Sequence, residues 1–164
     1  MSDRTIFSFD WALWFQWVVA TTLGWIVGGF LVAGIDLLAT GIAVGVLQGF
    51  ILQPRIARAW RWMLATAIGW AVGALIIIGL LPDALDFLGG VILGLTCGFA
   101  QWLILRENVH WAGWWMPISI AGWTTGFTLL PGLFLTGMLA GAVTGVALEL
   151  LLRYPKQIKS SPTN

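Results

Sequence analysis

The segment QGFILQPRIARAWRWMLATAIGWAVG, residues 48–73, aligns without a gap with QWLILRENVHWAGWWMPISIAGWTTG, residues 101–126. Both segments start with glutamine, continue with a tryptophan and end in a Gly-Trp-x-x-Gly element. The matched positions are Gln48 with Gln101, Trp62 with Trp115, Gly69-Trp70 with Gly122-Trp123, and Gly73 with Gly126. Trp17, Gly24-Trp25 and Gly28 give the element a third time. Internal self-similarity of this kind indicates one supersecondary unit used repeatedly.

The distribution of charge predicts a membrane protein. Only 9% of the residues are charged and 59% are hydrophobic, whereas a soluble domain carries about 25% charged residues. A spanning helix needs roughly 20 apolar residues, and the chain has uncharged runs at 11–35, 37–53, 62–82, 87–105 and 108–148. The last run holds two helices if it turns at Pro131-Gly132, where proline and glycine interrupt a helix.

We therefore predict an all-α membrane protein whose six transmembrane helices lie near residues 11–34, 37–53, 61–81, 85–105, 112–130 and 132–152. They form a single domain over residues 1–164, as three hairpins at 11–53, 61–105 and 112–152, and residues 153–164 form a short tail. Each hairpin contains two spans, so the three copies have the same orientation and are related by a pseudo-threefold axis along the membrane normal.

The basic residues predict the orientation of the chain. With six spans, all of them fall on one side of the membrane: Arg4, Arg55, Arg58, Arg61, Arg106, Arg153, Lys156 and Lys159. The opposite loops carry Asp36, Asp83 and Asp86 and no lysine or arginine. Short loops rich in lysine and arginine stay in the cytoplasm, so both termini are expected to be cytoplasmic.

Each even-numbered helix carries three glycines spaced by four residues, which places them on one helical face. This glycine zipper consists of Gly41, Gly45 and Gly49; Gly90, Gly94 and Gly98; and Gly137, Gly141 and Gly145. Glycine faces let a neighbouring helix approach closely, which matters in lipid because van der Waals packing holds the helices together there. We expect odd and even helices to pack through these faces and through the glycine pairs of the odd helices.

Trp25, Trp70 and Trp123 occupy equivalent positions near the middle of the membrane. Either each indole fills space beside its glycine and donates its N–H to a carbonyl, or the three form an aromatic wall around a hydrophobic ligand such as a pigment, quinone or lipid tail. Eight other tryptophans lie at the start of an odd-numbered helix or in the segment just before it, and they are expected to form an aromatic belt at the cytoplasmic boundary. They are Trp11, Trp14, Trp17, Trp60, Trp62, Trp111, Trp114 and Trp115.

Polar residues within the spans form a second candidate site. Gln48 and Gln101 are equivalent, and Glu149 follows the third equivalent, Leu148. The three could meet around the pseudo-axis, and an ionisable residue within a membrane is a candidate functional group by default. The structural alternative is an ion pair between Glu149 and Arg153, which are four residues apart on one helix.

Arg55, Arg58 and Arg61 are three residues apart and are expected to lie along the membrane surface and attract anionic lipid. His110 is a candidate for contact with a lipid headgroup, or for an axial ligand of a haem or chlorophyll. The arginines could instead serve only to set the topology, or form a docking site for a partner protein.

Several classes of chemistry lack their sequence signatures. The chain has no H-E-x-x-H, C-x-x-C, G-x-S-x-G or Walker motif, so we predict no catalytic residue, no metal site and no particular cofactor. Cys97 is the only cysteine, which excludes an intramolecular disulfide. The net charge of +1 argues against a nucleic-acid partner.

The segment Gly94-Leu-Thr-Cys-Gly98-Phe-Ala-Gln101-Trp-Leu-Ile-Leu-Arg106, with Ala112-Gly-Trp114-Trp115 and Gly122-Trp123 after it, resembles a family of glycine- and tryptophan-rich bacterial membrane proteins of cyanobacterial type. The resemblance is strongest over the second and third hairpins. It implies six spans in a bacterial plasma membrane or thylakoid membrane, and it carries no activity and no functional residue. The translocator-protein family has similar size and tryptophan content, but its five spans and proline-rich loop are not found here.

Two functions are consistent with these features. The first is a non-enzymatic accessory or scaffold protein that binds membrane lipid, pigment or another hydrophobic ligand, or associates with a larger membrane complex. The alternative is a small-molecule transporter or substrate-capture subunit with a path along the pseudo-axis.

Overall fold

The computed structural model describes residues 8–31, 36–82, 85, 88–129, 132 and 134–156. This part of the chain forms six α-helices: α1 (Trp11–Leu31), α2 (Asp36–Leu52), α3 (Trp60–Leu80), α4 (Gly89–Asn108), α5 (Trp115–Thr128) and α6 (Leu135–Leu152). A 3₁₀ turn at Ala112–Trp114 leads into α5. Arg4, Asp83, Asp86, Pro131 and Lys159, which entered the predicted topology, lie outside the described residues.

The helices begin and end close to the predicted bounds, but three of them begin late. The predicted fourth helix began at residue 85, but Leu85 N donates to Pro82 O at 2.8 Å in a tight turn, and α4 begins at Gly89. The predicted fifth helix began at residue 112, whereas residues 112–114 form the 3₁₀ turn and α5 begins at Trp115. The predicted sixth helix began at residue 132, whereas α6 begins at Leu135. Uncharged runs include the turns that precede these helices, so they place the helix starts too early. At its other end α4 continues to Asn108, past the charged residues that end the uncharged run.

Four helices are long and apolar enough to cross a membrane: α1, α3, α4 and α6. The apolar part of α2 is shorter, at Leu38–Leu52, and α5 has 14 residues. Large apolar side chains cover the outside of the bundle, as on α3, where Leu75, Ile78 and Leu80 are 68–79% exposed. A helical protein with such a surface needs an apolar solvent, which indicates a membrane protein.

The six helices form a closed ring in which each helix packs against its neighbours in sequence and α6 packs against α1. Residues 8–11, 52–61, 106–115 and 152–156 lie at one end of this ring, as their mutual contacts show. We call it the basic end, because arginines 55, 58, 61, 106 and 153 all lie there.

The glycines lie at the helix contacts, but they do not meet other glycines. A Cβ on Gly24 in α1 would lie 2.6 Å from Val44 Cα in α2, and a Cβ on Gly94 in α4 would lie 2.5 Å from Ile120 Cα in α5. The odd-helix glycines thus contact the next even helix, and the even-helix glycines contact the next odd helix. Those of α2 (Gly41, Gly45, Gly49) face α3, those of α4 (Gly90, Gly94, Gly98) face α5, and those of α6 (Gly137, Gly141, Gly145) face α1.

Candidate functional site

Three tryptophans from the odd helices meet on the axis of the ring near its basic end. The ring centroids of Trp17, Trp62 and Trp115 are 5.5–6.3 Å apart, and all three pairs are edge-to-face. Each indole is at most 1% exposed. These three residues are therefore core residues, and the prediction that they belong to an aromatic belt is wrong. Four other members of the predicted belt are more than half exposed: Trp11, Trp60, Trp111 and Trp114.

Trp25, Trp70 and Trp123 form a second layer on the same axis. Their ring centroids are 4.8–6.2 Å apart, and Phe127 packs against Trp25 with a centroid distance of 5.4 Å. The two layers arise because the tryptophans of each odd helix are eight residues apart, which leaves them within about 80° of each other around a helix of 3.6 residues per turn. The odd helices thus fill the axis with aromatic rings.

Each of the two buried glutamines joins three helices at the first layer. Gln48 accepts a hydrogen bond from Trp62 Nε1 at 3.1 Å and donates one to Thr21 Oγ1 at 2.9 Å. Gln101 accepts from Trp115 Nε1 at 3.0 Å and donates to Thr66 Oγ1 at 2.9 Å. The sequence placed the glutamines near the axis and missed their indole partners. The signal was present, since glutamine and tryptophan recur together in both aligned segments.

At the third corresponding position the contact differs. Leu148 stands where a third glutamine would be, and it is fully buried. Trp17 Nε1 donates instead to Thr144 Oγ1 at 3.0 Å, and the Thr144 hydroxyl donates to Ala140 O at 2.7 Å. A threonine of α6 thus replaces the missing amide as the acceptor for this indole.

A small cavity lies between the two tryptophan layers. Its lining includes Trp70 and Trp123 from the second layer, Trp115 from the first, and both glutamines. The space open to the centre of a water molecule is about 10 Å³, whereas sites for drug-sized organic ligands measure about 300–1,000 Å³. In this structure the predicted aromatic wall therefore encloses room for one water and not for a pigment, quinone or lipid tail.

Glu149 and Arg153 lie away from the glutamines, so the structure does not bring the predicted polar set together. Glu149 is 4% exposed; it accepts a hydrogen bond from Asp10 N at 2.9 Å and forms an ion pair with Arg153. Arg153 also donates to Ser8 O at 3.1 Å. One residue beyond the glutamine-equivalent position, the side chain is rotated by about 100°, so Glu149 points toward the start of α1 and ties α6 to it.

Asp10 caps the first helix beside this ion pair. Its Oδ1 accepts from Leu13 N at 2.9 Å, which is the usual role of an aspartate before the first helical turn. This backbone hydrogen bond is the main reason that the pKa of Asp10 lies below its ordinary value, and the Arg55 guanidinium at 3.4 Å lowers the pKa further.

The basic end holds a larger cleft of about 410 Å³, to which Arg55, Arg58, Arg61 and Lys156 contribute four cations and Glu107 one anion. Arg61 forms two hydrogen bonds with Glu107, at 2.5 and 3.1 Å. Lys156 Nζ donates to Arg106 O at 2.5 Å. His110, the fourth predicted headgroup residue, is exposed and does not line this cleft.

Arg58 differs from the other cations of the cleft. Within the described ranges its side chain makes no hydrogen bond or ion pair, and it is the one non-glycine residue there with a positive φ, 57°. The backbone around it is fixed by Ile56 and Ala59, which are 6% and 4% exposed. A non-glycine residue in the left-handed region carries a backbone cost of about 1–3 kcal/mol, and the two buried neighbours hold Arg58 in that conformation.

An apolar groove of about 330 Å³ lies on the outer surface between α3 and α4, and it runs from the cleft toward the middle of these two helices. Arg61 lines both the cleft and the groove. The remaining groove residues are apolar: Trp60, Leu64, Ala65, Ile68, Ala100, Leu103 and Ile104. A second apolar groove of about 260 Å³ lies between α5 and α6, and Trp111, Trp114 and Tyr154 are part of its lining.

Compared with known proteins, the chain matches no family model, no curated protein and no solved structure at a significant level. The family resemblance and the bacterial origin therefore stay predictions. Within the described ranges, no three histidine, cysteine, aspartate or glutamate side chains are grouped so that they could hold a metal ion.

Proposed function

We propose that the protein is a non-enzymatic accessory protein of a membrane, which crosses the bilayer six times as three like-oriented hairpins and holds an anionic phospholipid at its basic end. The observation that carries the proposal is the junction at Arg61, where a cleft lined by four cations continues into an apolar groove. A phospholipid has the same two parts in the same order, an anionic phosphate and an apolar chain.

The charge distribution supports the orientation in this proposal. Every described arginine and lysine that flanks a helix lies at the basic end. Short loops with this bias remain on the cytoplasmic side, where the membrane surface is rich in anionic lipid. The cleft and its proposed ligand then face the same interface.

The geometry of the cleft suits a phosphate. Arginine presents several N–H donors in a plane that matches phosphate oxygens, and in this cleft Arg58 keeps its donors unused by the described residues. Arg61 is already held by Glu107 and Arg55 by Asp10, so these two pairs position cations around the cleft rather than supply all the contacts. Each cation near the surface contributes about 1 kcal/mol to the binding of anionic lipid.

The groove suits one acyl chain. Leu64 and Ile68 are 52% and 60% exposed along it, one turn apart on α3, and α4 supplies the opposite wall. An acyl chain in the groove would contact a concave surface that is apolar apart from Arg61, so its binding there requires no hydrogen bond. Van der Waals contact is the main attraction available between apolar partners inside a bilayer.

The interior of the ring supports an accessory role. Two layers of three indoles occupy the axis, and the described residues that line the cavity between the layers include no aspartate, glutamate, histidine, lysine or arginine. A path along the axis, the alternative function, requires both tryptophan layers to separate, and no contact in the described ranges favours that opening.

The proposal is tested by native mass spectrometry of the protein in detergent, titrated separately with phosphatidylglycerol and phosphatidylcholine. We expect tighter binding of phosphatidylglycerol, and a roughly fivefold loss in Arg58→Ala, which corresponds to about 1 kcal/mol for one cation. Arg106→Ala is the matched control, because Arg106 is exposed at the same end but stacks on Trp102, 5.0 Å from its ring, outside the cleft.

Ile68→Trp tests the acyl-chain part by filling the groove while leaving the cations intact. Weaker binding of the long-chain lipid, with unchanged binding of a short-chain phosphatidylglycerol, is expected. Equal preference for the two headgroups, or equal losses in Arg58→Ala and Arg106→Ala, would contradict the proposal.

A further inference from the structure

Two residues that line the cavity between the tryptophan layers each have a buried polar atom without a partner among the described residues. They are Nε1 of Trp70 and Oγ of Ser119, in residues that are 0% and 1% exposed. Thr124 Oγ1 is a third buried atom of this kind, but it does not line the cavity. Buried polar groups in proteins are nearly always hydrogen-bonded, either to protein or to ordered water.

The sequence explains why Ser119 has no partner. Ser119 follows Trp115 by four residues, as Thr21 follows Trp17 and Thr66 follows Trp62. Thr21 and Thr66 each accept a hydrogen bond from a glutamine amide. The third amide is missing because its position holds Leu148, and Thr144 compensates only for the indole.

The cavity has the size and the chemistry of a site for one water molecule. About 10 Å³ is open to the centre of a water, which is close to the smallest volume that holds one. A buried water typically makes about three hydrogen bonds. Trp70 and Ser119 supply two partners. The amide nitrogens of Gln48 and Gln101 each donate one proton to a threonine hydroxyl and have a second proton.

We propose that a single ordered water molecule occupies this cavity and gives Ser119 the hydrogen-bond partner that a third glutamine would have supplied. An indole N–H can only donate, so the water oxygen accepts from Trp70 Nε1. The Ser119 hydroxyl then exchanges a second hydrogen bond with the same water. The site links the second tryptophan layer to the polar groups of the first, and it excludes organic ligands by size.

The experiment is a diffraction structure of the full chain, at a resolution that shows ordered water, for the wild-type protein, Ser119→Val and Thr124→Val. In the wild type we expect one isolated density peak within about 3.2 Å of both Trp70 Nε1 and Ser119 Oγ. Ser119→Val removes the hydroxyl and fills the space, so the peak is expected to disappear. Thr124→Val removes the other unpartnered hydroxyl and is expected to keep the peak.

An empty cavity in the wild-type map would overturn the proposal, as would a direct hydrogen bond between Trp70 and Ser119. A peak that persists in Ser119→Val would do the same, because the serine would then be no part of the site. If Ser119→Val does not fold, the wild-type and Thr124→Val maps still decide the question. None of these outcomes depends on lipid binding at the basic end.

Discussion

The contact between α4 and α5 at Gly94 gives the sharpest test of the packing. A Cβ at this position would lie 2.5 Å from Ile120 Cα and 2.8 Å from Ser119 O. Ordinary van der Waals contact for a Cβ begins near 3.4 Å, so Gly94→Ala forces the two helices apart by up to roughly 0.9 Å (3.4 minus 2.5). Both contacting atoms belong to the backbone, and no side-chain rotation can relieve the clash.

Overpacking of this kind costs about 1–3 kcal/mol, and the rigid partner places Gly94→Ala in the upper half of that range. For a protein of about this size, 1 kcal/mol corresponds to roughly 2–4 °C in Tm. We therefore expect Gly94→Ala to lower the thermal unfolding midpoint in mild detergent by roughly 4–12 °C.

Gly79→Ala in α3 is the matched control, because a Cβ there has no atom within 4 Å. Its unfolding midpoint should stay the same or rise slightly, since alanine favours the helix over glycine. Similar midpoints for the two alanine variants would refute the close α4–α5 crossing.

Three further predictions concern polar groups and are checked by unfolding in the same detergent. Gln101→Leu should destabilise the protein by about 1–3 kcal/mol, because it leaves buried donors and acceptors unpaired. Gln16→Leu is the control and should have little effect, since Gln16 is exposed. Equal effects of the two substitutions would mean that the hydrogen bonds of the Gln101 amide contribute nothing to stability. Leu148→Gln should be tolerated, because the new amide is expected to donate to Ser119 Oγ as Gln48 and Gln101 donate to Thr21 and Thr66. Leu105 lies in the same apolar cluster as Leu148 but does not align with the glutamines, so Leu105→Gln should cost about 1–3 kcal/mol. An equal loss in both variants would argue against a place for a third amide at residue 148. The pKa of Asp10 is lowered in the folded state. Its contribution to stability is therefore present above the pKa of the unfolded chain and is lost as the pH falls through the folded pKa. The thermal unfolding midpoint of the wild type should drop below about pH 4, and that of Asp10→Asn should be less sensitive to pH over the same range.

The sequence predicted the apolar helices more accurately than the roles of the side chains. Uncharged runs locate apolar helices directly, because in lipid the backbone must satisfy its own hydrogen bonds. The inward direction of Trp17 was missed because tryptophan near a membrane boundary is common at the surface. Its recurrence at Trp62 and Trp115, together with Gln48 and Gln101, was the stronger signal, since an isolated anchor has no reason to recur with a polar partner.

The position of Glu149 shows a second limit of the sequence. Its distance along the chain from the glutamine-equivalent position is one residue, and on a helix one residue is a rotation of about 100°. A side chain at the glutamine-equivalent position points to the axis of the ring, whereas the side chain of Glu149 points to the contact between α6 and α1. There Glu149 accepts hydrogen bonds from Arg153 and from Asp10 N. The alignment of the predicted hairpins gave the position of Glu149 along α6 relative to the glutamines, but not the direction of its side chain.

The glycines and the tryptophans are parts of one packing solution. In lipid, close contact has to replace the hydrophobic drive that holds soluble helices together, and a ring of six helices leaves a central space that must be filled. Three indoles fill that space only if the ring is narrow, and glycine at each helix contact makes it narrow. At Gly41 both requirements meet, because a Cβ there would lie only 2.3 Å from Trp70 Cβ and 2.5 Å from Trp70 Cγ. A larger residue at Gly41 would displace the indole from the axis, so the aromatic layers depend on the absence of side chains between the helices.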